Sequence, residues 1–127
     1  MFLPSMNNEN LGKNNIKHEI LEKTAKEYFH SGLDELNKNR YNSAVVLFFK
    51  ALTSFTDLYI FQKTGNTPSS HTERFWITQK KFTEVYELLD KDFPFYQDSY
   101  EQTMTKELAE VIKNDAEIMA EKTKVRL

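Results

Sequence analysis

The 127-residue chain contains no cysteine, which excludes disulfides, thiolate zinc ligands, thiol nucleophiles and thiol redox chemistry. Three glycines and three prolines are little material for the many tight turns of an all-β fold. No charge of one sign dominates. Seventeen Lys and Arg against nineteen Asp and Glu give a net charge of −2, which argues against a broad electrostatic grip on nucleic acid or anionic membrane. The longest uninterrupted apolar stretch, Ala44–Phe49, falls well short of the roughly 20 residues a membrane span needs. The beginning, MFLPSMNNENLGKNN, lacks a basic region followed by an apolar one, so no signal peptide is expected. A cytoplasmic protein with no membrane partner is the expectation, and its length suits one domain.

What is present is helical periodicity. Ile16, Leu21, Ala25, Tyr28, Phe29 and Leu36 recur at helical spacing behind Asn15, a candidate N-cap. After the break at residues 37–39, a second pattern runs from Tyr41 to Gly65. Ser70 followed by Glu73 reads as a capping box, and Phe75, Phe82, Val85, Tyr86 and Leu89 carry a third helix towards Pro94. Ser99 with Gln102 offers another such box, ahead of Met104, Leu108, Val111, Ile112 and Met119. No stretch alternates with period two. The expected fold is all-α, an up-down bundle of four antiparallel helices near 16–38, 41–64, 71–91 and 98–123, with room for a short fifth helix or turn near 93–97. Residues 1–15, rich in Asn, are expected to be a flexible lead-in to a single domain over 16–127.

The second helix poses the main question. Ala44, Val45, Phe48, Ala51, Leu52, Phe55, Leu58 and Tyr59 form one apolar face, and Val46, Leu47, Phe49, Ile60 and Phe61 extend it round the helix. Only Ser43, Lys50, Ser54 and Asp57 keep a polar strip. A helix apolar all round is buried all round. Either it runs through the middle of one bundle, or a second copy covers its far side. The second solution is the one expected here: a homodimer across Val46, Phe49, Thr53 and Ile60, closed by two-fold symmetry.

Motifs for catalysis are scarce. His18, His30 and His71 are the only histidines and none lies within four residues of another, so a helix-spaced zinc site is not expected. No phosphate-cradling glycine loop or nucleophile elbow occurs, and no cofactor is expected. Asp34, Glu35, Glu84 and Glu87 read as solvated helix faces. Lys50 and Asp57 are two turns apart, too far for a direct pair, and read as a solvated strip, with pairing to another helix or a small polar channel as the alternative. The segment SSHTERF at residues 69–75 places hydroxyls and a cation at a helix start, where free N–H groups suit an anion. Ser70, His71 and Arg74, with Lys50, are therefore the candidate anion or nucleotide site. Phe93, Phe95, Tyr96 and Tyr100 are expected to close the end of the bundle.

Two resemblances follow from NRYNSAVVLFFKAL. Tyr28, Gly32, Ala44, Phe48 and Ala51 fall on positions similar to a tetratricopeptide repeat, which would imply a protein-interaction module. A shift of 34 residues retains only Phe82, and such arrays need several stacked units. Across residues 16–123 the chain more broadly resembles the HEPN family (higher eukaryotes and prokaryotes nucleotide-binding domain): an amphipathic helix, the NRYNSA turn, a long apolar-aromatic helix, a loop through Pro68 and SSHTERF, then further helices. That resemblance implies a helical bundle and a homodimer, often beside a nucleotidyltransferase-type protein partner. Many HEPN members are metal-independent RNases with an Arg, four to six residues, then His. No Arg here is followed by His at that spacing. The resemblance thus implies a non-catalytic module for a nucleotide, RNA or a protein partner, with a divergent RNase using His71, Arg74 and Lys50 as the alternative.

Overall fold

A computed structural model describes residues 8–127 as five α-helices, with no strand among the described residues. They are α1 (Asn8–Asn37), α2 (Tyr41–Thr64), α3 (His71–Lys81), α4 (Thr83–Asp98) and α5 (Lys106–Lys122). The all-α expectation holds, and the boundaries differ in three places. First, α1 begins at Asn8, so Asn15 lies inside it rather than capping it. The expected lead-in also covers residues 1–7, which lie outside the described residues. Second, the expected third helix is two helices.

The hairpin of α1 and α2 is the base of the fold. Asn39 takes a left-handed φ of 60°, a conformation Asn tolerates better than most residues, and Arg40 N–H donates to the Glu35 carbonyl at 2.9 Å. The two helices then run antiparallel, pairing Phe29 with Phe48 near the turn and His18 with Gln62 at the far end. Gly32 lets them approach closely: a Cβ there would lie 2.7 Å from the Phe48 ring. As expected, Gly65 ends α2, in a left-handed conformation with its N–H on the Phe61 carbonyl.

The break within the expected third helix falls at Phe82, whose φ of −136° and ψ of 68° are not helical. The joint is one residue long. Phe82 N–H still donates to Thr78 at the end of α3, while its carbonyl accepts from Tyr86 at the start of α4. The Phe82 ring meets Tyr59 of α2 edge-on at 5.2 Å. No Gly or Pro marks this site; tertiary packing of the ring does. Pro94, in turn, does not interrupt. It sits inside α4, so residues 93–97 are part of that helix and not a separate turn.

The start of α5 is also displaced, to Lys106, with Thr105 as N-cap accepting from Leu108 N–H at 3.2 Å. The Ser99–Gln102 pair starts no helix because Asn42 of α2 holds that segment as a loop. Its amide donates to the Ser99 and Gln102 carbonyls at 2.9 and 2.7 Å, and its carbonyl accepts from Met104 N–H at 2.9 Å. One side chain thereby satisfies three backbone groups that would otherwise lack partners.

These contacts surround α2 with α1, α4 and α5 of the same chain. Phe48, Leu52, Phe55, Leu58 and Ile60 are fully buried. The expected outward row is therefore corrected: Phe49 and Ile60 are 2% and 1% exposed within one chain, while Val46 and Thr53 are half-buried. Within one chain α4 and α5 cover the side of α2 that carries Phe49 and Ile60, while Ser43, Val46, Leu47 and Thr53 keep an open side. By length and composition α2 is apolar enough to cross a membrane; its burial in the core accounts for that composition.

The close approach at Gly32 is testable against a matched control. Gly32→Ala gains about 1 kcal/mol of helix propensity, but overpacking against a buried ring costs roughly 1–3 kcal/mol, so urea denaturation should show net destabilisation. Gly12, where a Cβ meets nothing within 4 Å, should become slightly more stable as alanine. Equal gains at both positions would contradict the packing.

Candidate functional site

The start of α3 uses its own groups. Ser70 accepts from Glu73 N–H at 3.1 Å, as a capping box requires, but the Glu73 carboxylate turns to Ser69, taking its hydroxyl at 2.6 Å and its N–H at 3.3 Å. Those bonds hold the Glu73 carboxyl below its usual range. The helix N-terminus thus carries an internal carboxylate, and the Ser70 hydroxyl serves as its cap.

One turn further on, α3 is fastened to α2. Arg74 reaches Asp57 in a two-pronged pair, Nε to Oδ1 at 2.7 Å and Nη2 to Oδ2 at 2.9 Å, with the two side chains 15% and 18% exposed. The Arg74 Nη1 also lies 3.1 Å from His71 Nδ1. Because arginine is only a donor, His71 Nδ1 must accept, which leaves the ring proton on Nε2. That ring sits among Phe75, Phe93 and Phe49, with centroids 4.7, 4.5 and 6.4 Å away. Burial, then the charge of Arg74, lower the His71 pKa against a weaker opposing pull from Asp57. His71 is a neutral imidazole whose Nε2 is buried without a hydrogen-bond partner.

Beside this arrangement lies a hollow of about 340 Å³ lined by Phe49, Lys50, Thr53, His71, Arg74, Phe93 and Tyr96. Phe49 and Tyr96 stack at 4.6 Å and form one continuous aromatic wall with Phe93. Among the described residues no carboxylate lies within ion-pairing distance of Lys50; its ammonium is 6.0 Å from the Tyr28 ring centre. With Arg74 balanced by Asp57 and His71 neutral, the hollow carries one uncompensated positive charge.

The structure thus brings Lys50, His71 and Arg74 together. It adds Phe49 and Thr53, which sequence analysis had assigned to a dimer face. Ser70 does not line the hollow, Ile60 is core, and Val46 lines a separate open groove with Leu47, Asp34 and Glu35. Phe93 and Tyr96, expected to close the bundle, form the wall.

Sequence reasoning missed a second cluster, at the α4–α5 joint. Asp92 is 0% exposed and Asp115 4% exposed, and Lys91 Nζ lies 2.8 Å from Asp115 and 4.0 Å from Asp92. The signal was present: Asp92 continues the stripe Val85–Leu89, and Asp115 falls between Ile112 and Met119 on the buried face of α5.

Comparison with known proteins finds no matching family model and no matching curated protein. The site is therefore read from its own chemistry. Neither nitrogen of His71 suits a general base, because Nδ1 is engaged by Arg74 and Nε2 has no accessible surface. Such a base needs a lone pair within reach of the proton it takes. The arrangement instead suits binding, with an aromatic wall and, among the described residues, one cation that has no carboxylate partner.

Removing one partner of the half-buried ion pair leaves the other uncompensated. Asp57→Ala should cost roughly 3 kcal/mol in chemical denaturation, while Asp57→Leu combined with Arg74→Met should recover most of that loss. A single-variant cost below about 0.5 kcal/mol, within the range of exposed pairs, would contradict the role given to the pair.

Proposed function

We propose that this chain is a non-catalytic binding domain of HEPN-like helical-bundle type, with a nucleotide as the ligand class its hollow fits best. The observation that carries the reading is the convergence of the Lys50 ammonium, without a carboxylate partner among the described residues, with the part-exposed rings of Phe93 and Tyr96, backed by the buried Phe49. An aromatic wall stacks on the face of any base, and an ammonium beside it holds a phosphate as a point charge. The tight Phe49–Tyr96 stack leaves no slot between those rings, so the base would lie against the outer face of the wall. The buried, Arg-bound His71 supports binding over the divergent RNase reading. The homodimer implied by the resemblance keeps that support alone, and the binding reading does not require it.

The test is a titration of the 15N-labelled protein with adenosine monophosphate, adenosine and inorganic phosphate in parallel. Amide shifts should gather at residues 49–53, 71–74 and 93–96, and the nucleotide should bind more tightly than either part. Lys50→Met should weaken it about tenfold, the loss of one charge-assisted contact. Absence of shifts at these residues with all three probes would overturn the reading. RNA cleavage that disappears in His71→Ala would replace it with the nuclease.

A further inference from the structure

The hollow and the ion pair leave unexplained why two carboxylates are buried where α4 meets α5. Asp92 comes from α4 and Asp115 from α5, and both are withdrawn from water. Among the described residues Lys91 is the one cation within ion-pairing distance of either, and it sits against Asp115 at 2.8 Å. The only polar group that can share a proton with the Asp92 carboxyl among the described residues is the Asp115 carboxyl facing it across the joint. A buried carboxylate beside a second carboxylate is strongly disfavoured. Counting charges, one ammonium can balance one carboxylate, so the other is held as a neutral acid. Asp92, deeper and farther from Lys91, is that acid.

We infer that the α4–α5 joint is a proton-operated latch, closed while Asp92 is a neutral acid and Lys91 pairs with Asp115, and released when Asp92 loses its proton. Loss of that proton leaves two buried negative charges against one half-exposed ammonium, and separating the helices relieves it. The groups facing the joint fit this assignment. The charges acting on Asp92 are Asp115 of α5 and Lys91 of its own helix. Lys50 and Asp57 of α2, and His71 and Arg74 of α3, gather instead at the hollow. A further α4–α5 pair, Glu84 with Lys122 at 3.1 Å, is exposed on the Glu84 side and lies two turns away. Burial first, then the hydrogen bond its protonated form makes with Asp115 and the Asp115 charge, push the Asp92 acid up to about 8, against a smaller opposing pull from Lys91; the bond to Asp115 in turn raises the Lys91 pKa. The proton would therefore leave only slightly above neutral pH.

The latch has a consequence for the hollow. Phe93 follows Asp92 directly, and Tyr96 is one turn on, so the residue that senses the proton and the residues that form the wall share one stretch of α4. Release should move the wall.

The sign of the stability effect follows from linkage. An acid raised by folding stabilises the native state fully below its ordinary carboxylate value, and that contribution is lost as pH rises towards about 8. Relative to Asp92→Asn, the unmodified protein should thus lose stability between about pH 5 and 8 and level off above, the rise contributed by His71 being common to both. The direct experiment follows the Asp92 carboxyl carbon by 13C NMR in the unmodified protein, together with the amides of residues 91–97, from pH 5 to 9.5. The latch predicts a carboxyl midpoint near 8 and amide shifts along α4 with that same midpoint, absent in Asp92→Asn. A midpoint in the ordinary carboxylate range overturns it. So does a high midpoint with still amides, since the proton would then be structural only. The unmodified protein answers both points even if Asp92→Asn fails to fold.

Discussion

The rest of the molecule depends on covering α2 on nearly all of its circumference. A helix carrying Phe48, Leu52, Phe55, Leu58 and Ile60, all fully buried, gains about 1.5–3 kcal/mol from each such side chain removed from water. That gain requires neighbours in several directions at once. Helix α1 supplies one, drawn close at Gly32; α4 and α5 supply the others. Asn42 clamps the loop between α4 and α5 against the start of α2, which fixes where α5 begins its parallel run towards Gln62 and Thr123. Three long helices alone would leave α2 partly wet. The break at Phe82 lets α3 and α4 take different directions, so one segment can serve two surfaces.

The polar features lie where that coverage is incomplete. The strip of α2 bearing Lys50, Thr53 and Asp57 is half-buried, and α3 crosses it with Arg74. The pair with Asp57 neutralises one charge there and fixes His71 through its Nδ1. What remains is Lys50 beside an aromatic wall. A hollow at the edge of a core inherits rigidity from the side chains behind it, since Phe49 belongs both to the core and to the wall. Positioned groups of this kind favour ligand binding because less ordering is needed when the ligand arrives.

Periodicity made α1, α2 and α5 legible, because each carries an apolar pattern long enough to identify its face. Gly65 and Ser70 were legible as punctuation, since their roles are set by local backbone chemistry. Phe82 was not, because an aromatic residue inside a helical pattern signals nothing until Tyr59 is placed against it. Pro94 and Ser99 misled for the converse reason: both are local stop or start signals that α4 and Asn42 override. The convergence of Lys50, His71 and Arg74 was half legible, with the residue types apparent and the spatial meeting dependent on how α3 crosses α2. Phe49 was assigned to an outer face because the helix was given too few partners. Asp92 and Asp115 sat on apolar stripes in plain view, and a carboxylate in such a stripe is the pattern that marks a buried acid.

Within a single chain α2 buries its apolar faces and leaves open the strip from Ser43 to Asp57. Hydrogen exchange of the native protein at low concentration tests it most directly, since buried core helices exchange only through global opening. The amides of residues 44–61 should be the most protected in the molecule, with an opening free energy equal to that of global unfolding and independent of protein concentration. Early exchange along residues 46–53, or protection that appears only as concentration rises, would contradict it.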